Sequence, residues 1–316
     1  MNQIVECVPN FSEGRRLETV ERLAQTIASV ETTCVLNTHI DPDHNRSVIT
    51  FVASPKEAVE AAVKVVGVAA ELIDMRTHKG VHPRLGATDV FPFVPVRGVS
   101  LSDCAALAHD AGRRIANELS IPVFFYERAA LQPARVNLED VRRGALELLR
   151  DQIASVPERA PDVGPKRVHE TAGAIVIGAR PFLIAFNVNL KSNNVSHARQ
   201  IARSVRARSG GLPFLKALGF DLHSRGLVQV SMNLVDYGVT GMTHAYEAVK
   251  REAEKLGIEI VGTEIVGLVP QDALDRKAEY FEKLENFHEG LILENRLAEC
   301  WKGVWSPESA QPSVDC

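Results

Sequence analysis

The sequence predicts an α+β chain made of two β-α-β-β-α-β units. Three observations predict it. Apolar spacing switches between period two and the helical period in that order over residues 3–96, and again over 181–266. A segment with three prolines and no apolar period, 156–170, separates the two runs. A chain of 316 residues that is 45% apolar and 24% charged has the size and balance of one large or two moderate globular domains. The order within each run is that of the ferredoxin-like unit, which packs its helices on one sheet face. The free faces of two such sheets can meet or leave a groove, a usual place for a small-molecule site.

In chain order, residues 3–8 alternate as a strand, and Asn10, Ser12, Glu13 and Gly14 make a loop. Leu17, Val20, Leu23, Ala24 and Ile27 recur at helical spacing over 17–30. Strands at 33–40 and 46–54 flank the turn Asp41-Pro42-Asp43-His44-Asn45. Ser54-Pro55 starts a helix that runs to about residue 75. A strand follows at 88–96, then a helix near 101–119, a strand at 122–126 and a helix near 138–153. The second run reads as strand 181–190, helix 195–208, strands 214–221 and 226–236, helix 240–256 and strand 258–266. Helices are expected near 271–277 and 288–301, then a flexible tail over 306–316. The domains are therefore 1–170, including the linker, and 171–305.

The net charge of −4 argues against general nucleic-acid binding. Apolar runs are too short to span a membrane, and the N-terminus Met-Asn-Gln-Ile-Val-Glu-Cys lacks a basic region followed by a long apolar one, so no signal peptide is expected. Five cysteines without a C-x-x-C pair suit free thiols in a reducing compartment, so a cytoplasmic protein is expected. No Walker loop, dinucleotide-binding glycine pattern or nucleophile elbow is present.

The chemistry concentrates in Ile73–Val96, where two histidines, three cations and two carboxylates sit between an apolar helix and an apolar strand. His78 and His82 have the spacing of two metal ligands on a helix, but Gly80 and Pro83 oppose a helix there. Three readings stay open: a metal site completed by His39, Asp41, Asp43 and His44; two solvated loop histidines; and a general acid–base role. For the last, His82 is preferred, with Asp89 placed to orient its ring. Arg76, Lys79 and Arg84 suggest a pocket for an anion. Asn187 and Asn189 share one strand face, and Gln229, Ser231 and Asn233 repeat that pattern, implying a wetted sheet face.

Long stretches of the chain resemble the glutamate formimidoyltransferase family. They are Val5–Gly14, Ile73-Asp74-Met75, His78-Lys79-Gly80, His82-Pro83-Arg84, Gly86-Ala87, Pro95–Ser100, Asp162–Pro165, Gly178-Ala179-Arg180, Phe182–Leu190 and Val266–Pro270. The resemblance covers about residues 1–275, in the stand-alone form without the cyclodeaminase domain that animal members carry. It implies transfer of a formimidoyl group from N-formimidoyl-L-glutamate to tetrahydrofolate as co-substrate in histidine breakdown. It also implies no metal, two subdomains whose sheets face each other, and a homodimer. By resemblance His82 is the catalytic histidine, and about Gly164–Gly173 contacts folate, which brings in Gly164, Pro165, His169, Thr171 and Gly173. Asp41 or Asp89 would stabilise the amidinium, and Arg46, Lys79 and Arg84 would hold the glutamate carboxylates. Asn187 and Asn189 would hold the heterocycle. One departure concerns position 39, an aspartate in animal members and His39 here. The alternative function is a metal-dependent amidine or amide hydrolase using His39, Asp41, His44, His78 and His82.

Overall fold

A computed structural model describes residues 3–300, so the expected tail over 306–316 lies outside the described residues. The chain is mixed α+β and divides into two compact units at Arg180. The first holds β1 (Ile4–Cys7), β2 (Asn10–Phe11), α1 (Leu17–Ala28), β3 (Cys34–Asp41), β4 (Arg46–Ala53), α2 (Pro55–Leu72), β5 (Thr88–Arg97) and α3 (Leu101–Leu119). It continues with β6 (Val123–Glu127), α4 (Leu138–Val141), α5 (Ala145–Gln152) and β7 (Ile175–Ala179).

Its strands form one sheet in the order β1-β4-β2-β5-β7-β6, with β3 on β4. Strand β7 was not expected from the sequence. It lies parallel between β5 and β6, which draws the proline-rich segment and the first residues past it into this unit. The unit therefore ends ten residues beyond the expected boundary at 170. Helices α1, α2 and α3 bury Val20, Leu23, Ile27, Val59, Val66, Ala108 and Ile115 against Phe51, Phe91, Phe93, Phe125 and Ile177. The other face is covered at the β6–β7 end, where Val141, Leu149 and Ile153 meet Phe124, Tyr126 and Val176. Helices thus lie on both faces here, not one, because the connection from β6 back to β7 reverses the crossover direction and carries α4 and α5 to the other face. The stretch expected as a single helix over 138–153 is also broken. Gly144 has φ +79° and Ala145 +53°, left-handed values that stop α4 and restart the chain as α5.

The second unit runs β8 (Ile184–Leu190), α6 (Val195–Val205), β9 (Leu215–Leu222), β10 (Leu227–Leu234), α7 (Met242–Lys255) and β11 (Ile260–Val266). It ends in α8 (Glu279–Glu282), which lies past the helix expected near 271–277, and α9 (Leu293–Cys300), shorter than the helix expected near 288–301. Its sheet has the order β11-β8-β10-β9. Phe186, Val188, Val230 and Met232 pack under Ile201, Val205, Tyr246 and Val249 of α6 and α7. Among the described residues no helix is long and apolar enough to cross a membrane.

Cys7 and Cys104 are buried free thiols, and burial pushes Cys104 up to about 12. On β1, Glu6 is 1% exposed and its Oε2 has no partner. Burial raises its carboxyl to about 7 against the opposing pull of Arg180. A group whose folded value is raised contributes most below its unfolded value and loses that contribution as pH rises through 7. Glu6→Gln is therefore expected to stabilise the protein at pH 8 by ~1–3 kcal/mol and to change little at pH 4, read as the shift in urea midpoint.

Candidate active site

The starts of β4, β5, β6 and β7 share one end of the first unit's sheet, since these strands run parallel to one another and antiparallel to β1 and β2. The loop joining α2 to β5 is irregular at that end, as Gly80 and Pro83 dictate. It is held from three sides. Ser12 donates its hydroxyl to Gly86 O at 2.7 Å and its N–H to Ala87 O at 2.9 Å. Asn45, at φ +48°, accepts Gly14 N–H at 3.0 Å and donates Nδ2 to Lys79 O at 3.0 Å. The third side is the segment before β7. Met75 N–H donates to Thr171 O at 2.8 Å, Ala87 N–H to Ala172 O at 2.9 Å and Ala174 N–H to Leu85 O at 2.9 Å. Two glycines permit this approach: a Cβ on Gly86 would lie 2.1 Å from Ala174 O, and one on Gly173, at φ +73°, 2.4 Å from Leu85 O.

Asp89 organises the charges. It is fully buried, accepts Leu85 N–H at 2.8 Å through Oδ1, and through Oδ2 accepts Arg46 Nη1 at 2.8 Å and Arg142 Nη2. Burial opposes its ionisation, but the two guanidiniums outweigh that and hold its carboxyl below the usual range. Arg46 also gives Nε and Nη2 to Asn10 Oδ1 at 3.2 and 2.8 Å. Burial lowers Arg46 to about 10, Asp89 opposing.

His82 is partly buried in the same cluster, its Nδ1 2.7 Å from Pro83 O. A carbonyl only accepts, so Nδ1 carries the hydrogen and Nε2 bears the lone pair. Burial first, then Arg46 and Arg142, lowers its pKa well below the ordinary value. At neutral pH the ring is an uncharged base. The His44 ring lies 6.1 Å away, edge-on, its Nδ1 2.5 Å from Asp41 Oδ2. His78 is turned elsewhere: Nε2 meets Asn45 O at 3.1 Å and Nδ1 accepts Arg84 Nε at 3.4 Å, which fixes a neutral tautomer. Burial is the main cause that lowers it.

The structure brings His82, Asp89, Arg46 and Arg84 into one neighbourhood, but it distributes their bonds differently from the sequence expectation. Asp89 bonds Leu85, Arg46 and Arg142, and the Nδ1 hydrogen of His82 goes to Pro83 O instead. Arg84 donates both Nη groups to Glu147, at 2.8 and 2.6 Å, rather than standing open. That pair takes Glu147 down to about 2. Asp41 is committed to His44, whose hydrogen bond overcomes burial and lowers the carboxyl. Lys79 is exposed on the loop. His169, Thr171 and Gly173 lie in the segment stitched to the histidine loop, with His169 Nδ1 accepting Ala172 N–H at 3.1 Å. Gly164, at φ +94°, and Pro165 follow Val163, which pairs with Val123 at the start of β6.

Asn187 and Asn189 belong to the second unit. On the face opposite its helices, Asn187 donates to Glu264 at 3.1 Å, Gln229 donates to Asn189 at 3.0 Å, and Asn187 Oδ1 and Gln229 Oε1 have no partner. Among the described residues no group of three or more His, Cys, Asp or Glu is placed to hold a metal ion. Sequence reasoning missed Arg142, Asn10 and Glu147. The Arg142-Arg143-Gly144 interruption inside an apolar helical run was the available signal.

Residues 4–180 match the formiminotransferase domain, N-terminal subdomain, and residues 185–297 match the formiminotransferase domain. A glutamate formimidoyltransferase of Thermoplasma acidophilum is 48% identical over 93% of this chain and 97% of its own length. One of Streptococcus pyogenes is 41% identical over 94% of this chain and 99% of its own. The formimidoyltransferase-cyclodeaminase of Rattus norvegicus is 43% identical over 94% of this chain and 57% of its own. The chain belongs to the formiminotransferase family and is a transferase.

Replacing Arg142 by Met removes one of the two cations that hold His82 neutral. The His82 titration, followed by NMR of the ring, is expected to move up toward the unperturbed value of about 6.5. In Lys, which keeps the charge, it should stay near the wild-type position.

Proposed function

We propose that the chain transfers the formimidoyl group of N-formimidoyl-L-glutamate to tetrahydrofolate, giving 5-formimidoyltetrahydrofolate and L-glutamate, as a step of histidine breakdown. One observation carries the mechanism: the His82 ring is pinned at Nδ1 by Pro83 O, which leaves the Nε2 lone pair as the base, and burial first, then Arg46 and Arg142, lowers its pKa. The ferredoxin-like reading of the second unit is supported by its β11-β8-β10-β9 order. A homodimer is proposed from the resemblance, and a cytoplasmic setting from the reading of the sequence.

The residues present suit a folate. Glu6, Asn37 and Thr50 each carry a buried polar atom without a hydrogen-bond partner. All three fall on the sheet face turned away from α1–α3, because Asn37 pairs with Thr50 and Glu6 with Val52. Donors and acceptors of a heterocycle would complete them. The segment Gly164–Gly173 would hold the rest, its His169–Gly173 hairpin fixed against the histidine loop. When bound, the folate supplies a secondary amine as nucleophile.

The donor carbon is an amidine, largely cationic at neutral pH. Transfer forms one C–N bond and breaks another, so one proton leaves the incoming nitrogen and one arrives on the departing glutamate nitrogen. Nε2 of His82 can carry both in turn. No oxyanion develops, so no oxyanion hole is required. His82 is charged only transiently, and the nearby cations make that imidazolium a strong acid for the return step. Of the two carboxylates considered for the amidinium, Asp89 is outweighed by Arg46 and Arg142, so Asp41, whose pKa is lowered by His44, supplies the negative potential.

The assay is formiminoglutamate turnover with and without tetrahydrofolate, each with and without EDTA, read as methenyl-folate absorbance after acidification. Folate-dependent product that survives EDTA is expected. Glutamate release without folate that EDTA stops would establish the metal-dependent hydrolase instead. In the same assay His82→Ala is expected to slow turnover by about 10²-fold or more, with folate binding largely kept.

A further inference from the structure

Arg142 leaves more of its donors unused than the other arginines of the site. Arg46 uses Nε, Nη1 and Nη2 on Asn10 and Asp89. Arg84 uses both Nη groups on Glu147 and Nε on His78. Arg142 uses one of the five N–H donors of a guanidinium: Nη2 bonds Asp89, and its Nε has no hydrogen-bond partner. Its side chain is 11% exposed, enough to be reached by a ligand but not to be hydrated as a surface arginine is.

The charges point the same way. Asp89 is one negative charge between two cations whose side chains are 12% and 11% exposed. The carboxylates nearby have partners of their own: Glu147 pairs with Arg84, Asp41 with His44 and Glu13 with Arg16. A surplus positive charge in a poorly hydrated place is stable only when an anion completes it. The surplus sits beside His82, whose titration feels Arg142 directly.

The backbone holds Arg142 ready. Arg159 donates Nη1 to Val141 O at 3.1 Å and Nη2 to Arg143 O at 3.0 Å, clamping the peptide on both sides of Arg142. Leu146 N–H donates to Arg84 O at 3.0 Å, tying the restart of the helix to the histidine loop.

We propose that Arg142 receives a carboxylate of the glutamate donor and is a specificity-determining residue of the site. This rests on the transferase reading above and assigns the carboxylate contact to a residue other than Arg46 or Arg84. A planar fork suits a carboxylate, and the contact places the donor's anionic end next to Asp89 and its reacting end toward His82. The amidine carbon is thus held by its own leaving group.

The test uses binding, so that it is judged apart from turnover. L-glutamate, its α-amide and its γ-amide are titrated by calorimetry into wild type, Arg142→Met and Arg142→Lys. Wild type is expected to prefer glutamate over one of the two amides by about 30-fold or more. Arg142→Met is expected to bind glutamate and that amide equally, and Arg142→Lys to recover part of the preference. A general disturbance of the fold would weaken all three ligands together and leave the preference intact, which overturns the proposal. So does a wild type with no preference for the acid. Tetrahydrofolate and tetrahydropteroate are titrated alongside. If Arg142→Met abolishes the preference within that pair and not within the glutamate series, the carboxylate is the folate's and the assignment to the donor is wrong. Failure of folate-dependent turnover, with the glutamate preference intact and lost in Arg142→Met, would remove the proposed reaction but keep the carboxylate site.

Discussion

The carboxylate of Asp89 is the point on which the site depends. It joins the first turn of β5 to Arg46 at the start of β4, to Leu85 on the histidine loop and to Arg142 beyond α4. These pieces are far apart in sequence, and their side chains at this point are almost all cationic. Without the buried negative charge, two arginines would face one another in a place where water cannot screen them. The same charge arrangement adds to burial in lowering the pKa of His82, because the surplus beyond Asp89 is positive. The balance holds enough negative charge to assemble the cluster and leaves a positive surplus that works with burial on the histidine.

The tautomers follow from equally local causes. Pro83 supplies the carbonyl that fixes Nδ1 of His82, and it also restrains the histidine's backbone to extended geometry. His78, four residues earlier, has a different task. It accepts from Arg84 and meets Asn45 O, so it braces the arginine and the turn after β3 against each other. Two histidines that look alike in sequence are thus divided into one whose Nε2 keeps its lone pair and one that supports the loop.

Much of this was legible in the sequence, and the gaps have physical reasons. The strands β3, β4, β5 and β8 alternate or run apolar between clear breakers, and α2 starts at a Ser-Pro pair, so their places were readable. His82 was singled out by its neighbours Pro83, Arg84 and Asp89. Strand β7 was missed because Ile-Val-Ile-Gly-Ala is short and its partners lie 50 to 90 residues back, which no local period reports. The break between α4 and α5 was missed because Leu138, Val141, Leu146 and Leu149 keep the helical spacing across it. That break displaces Arg142 from a helix surface into the cluster. The bonding of Asp89 and Arg84 was misassigned for a related reason: the partners Arg142 and Glu147 come from the same broken stretch.

The position of β7 between β5 and β6 has a consequence for the life of the chain on the ribosome. Before residue 179 emerges, β5 and β6 are already made, yet each lacks the strand that fills the space between them. The nascent sheet has two open parallel edges rich in Val and Phe, which are surfaces that invite pairing with other chains. The histidine loop is equally incomplete at that stage, because Thr171, Ala172 and Ala174 have yet to arrive and hold it. Closing the sheet and finishing the site are one event, late in synthesis and long-range in sequence. Until β7 has emerged the half-sheet is open to other chains, and once it has, the strand and the segment that holds the histidine loop can settle together.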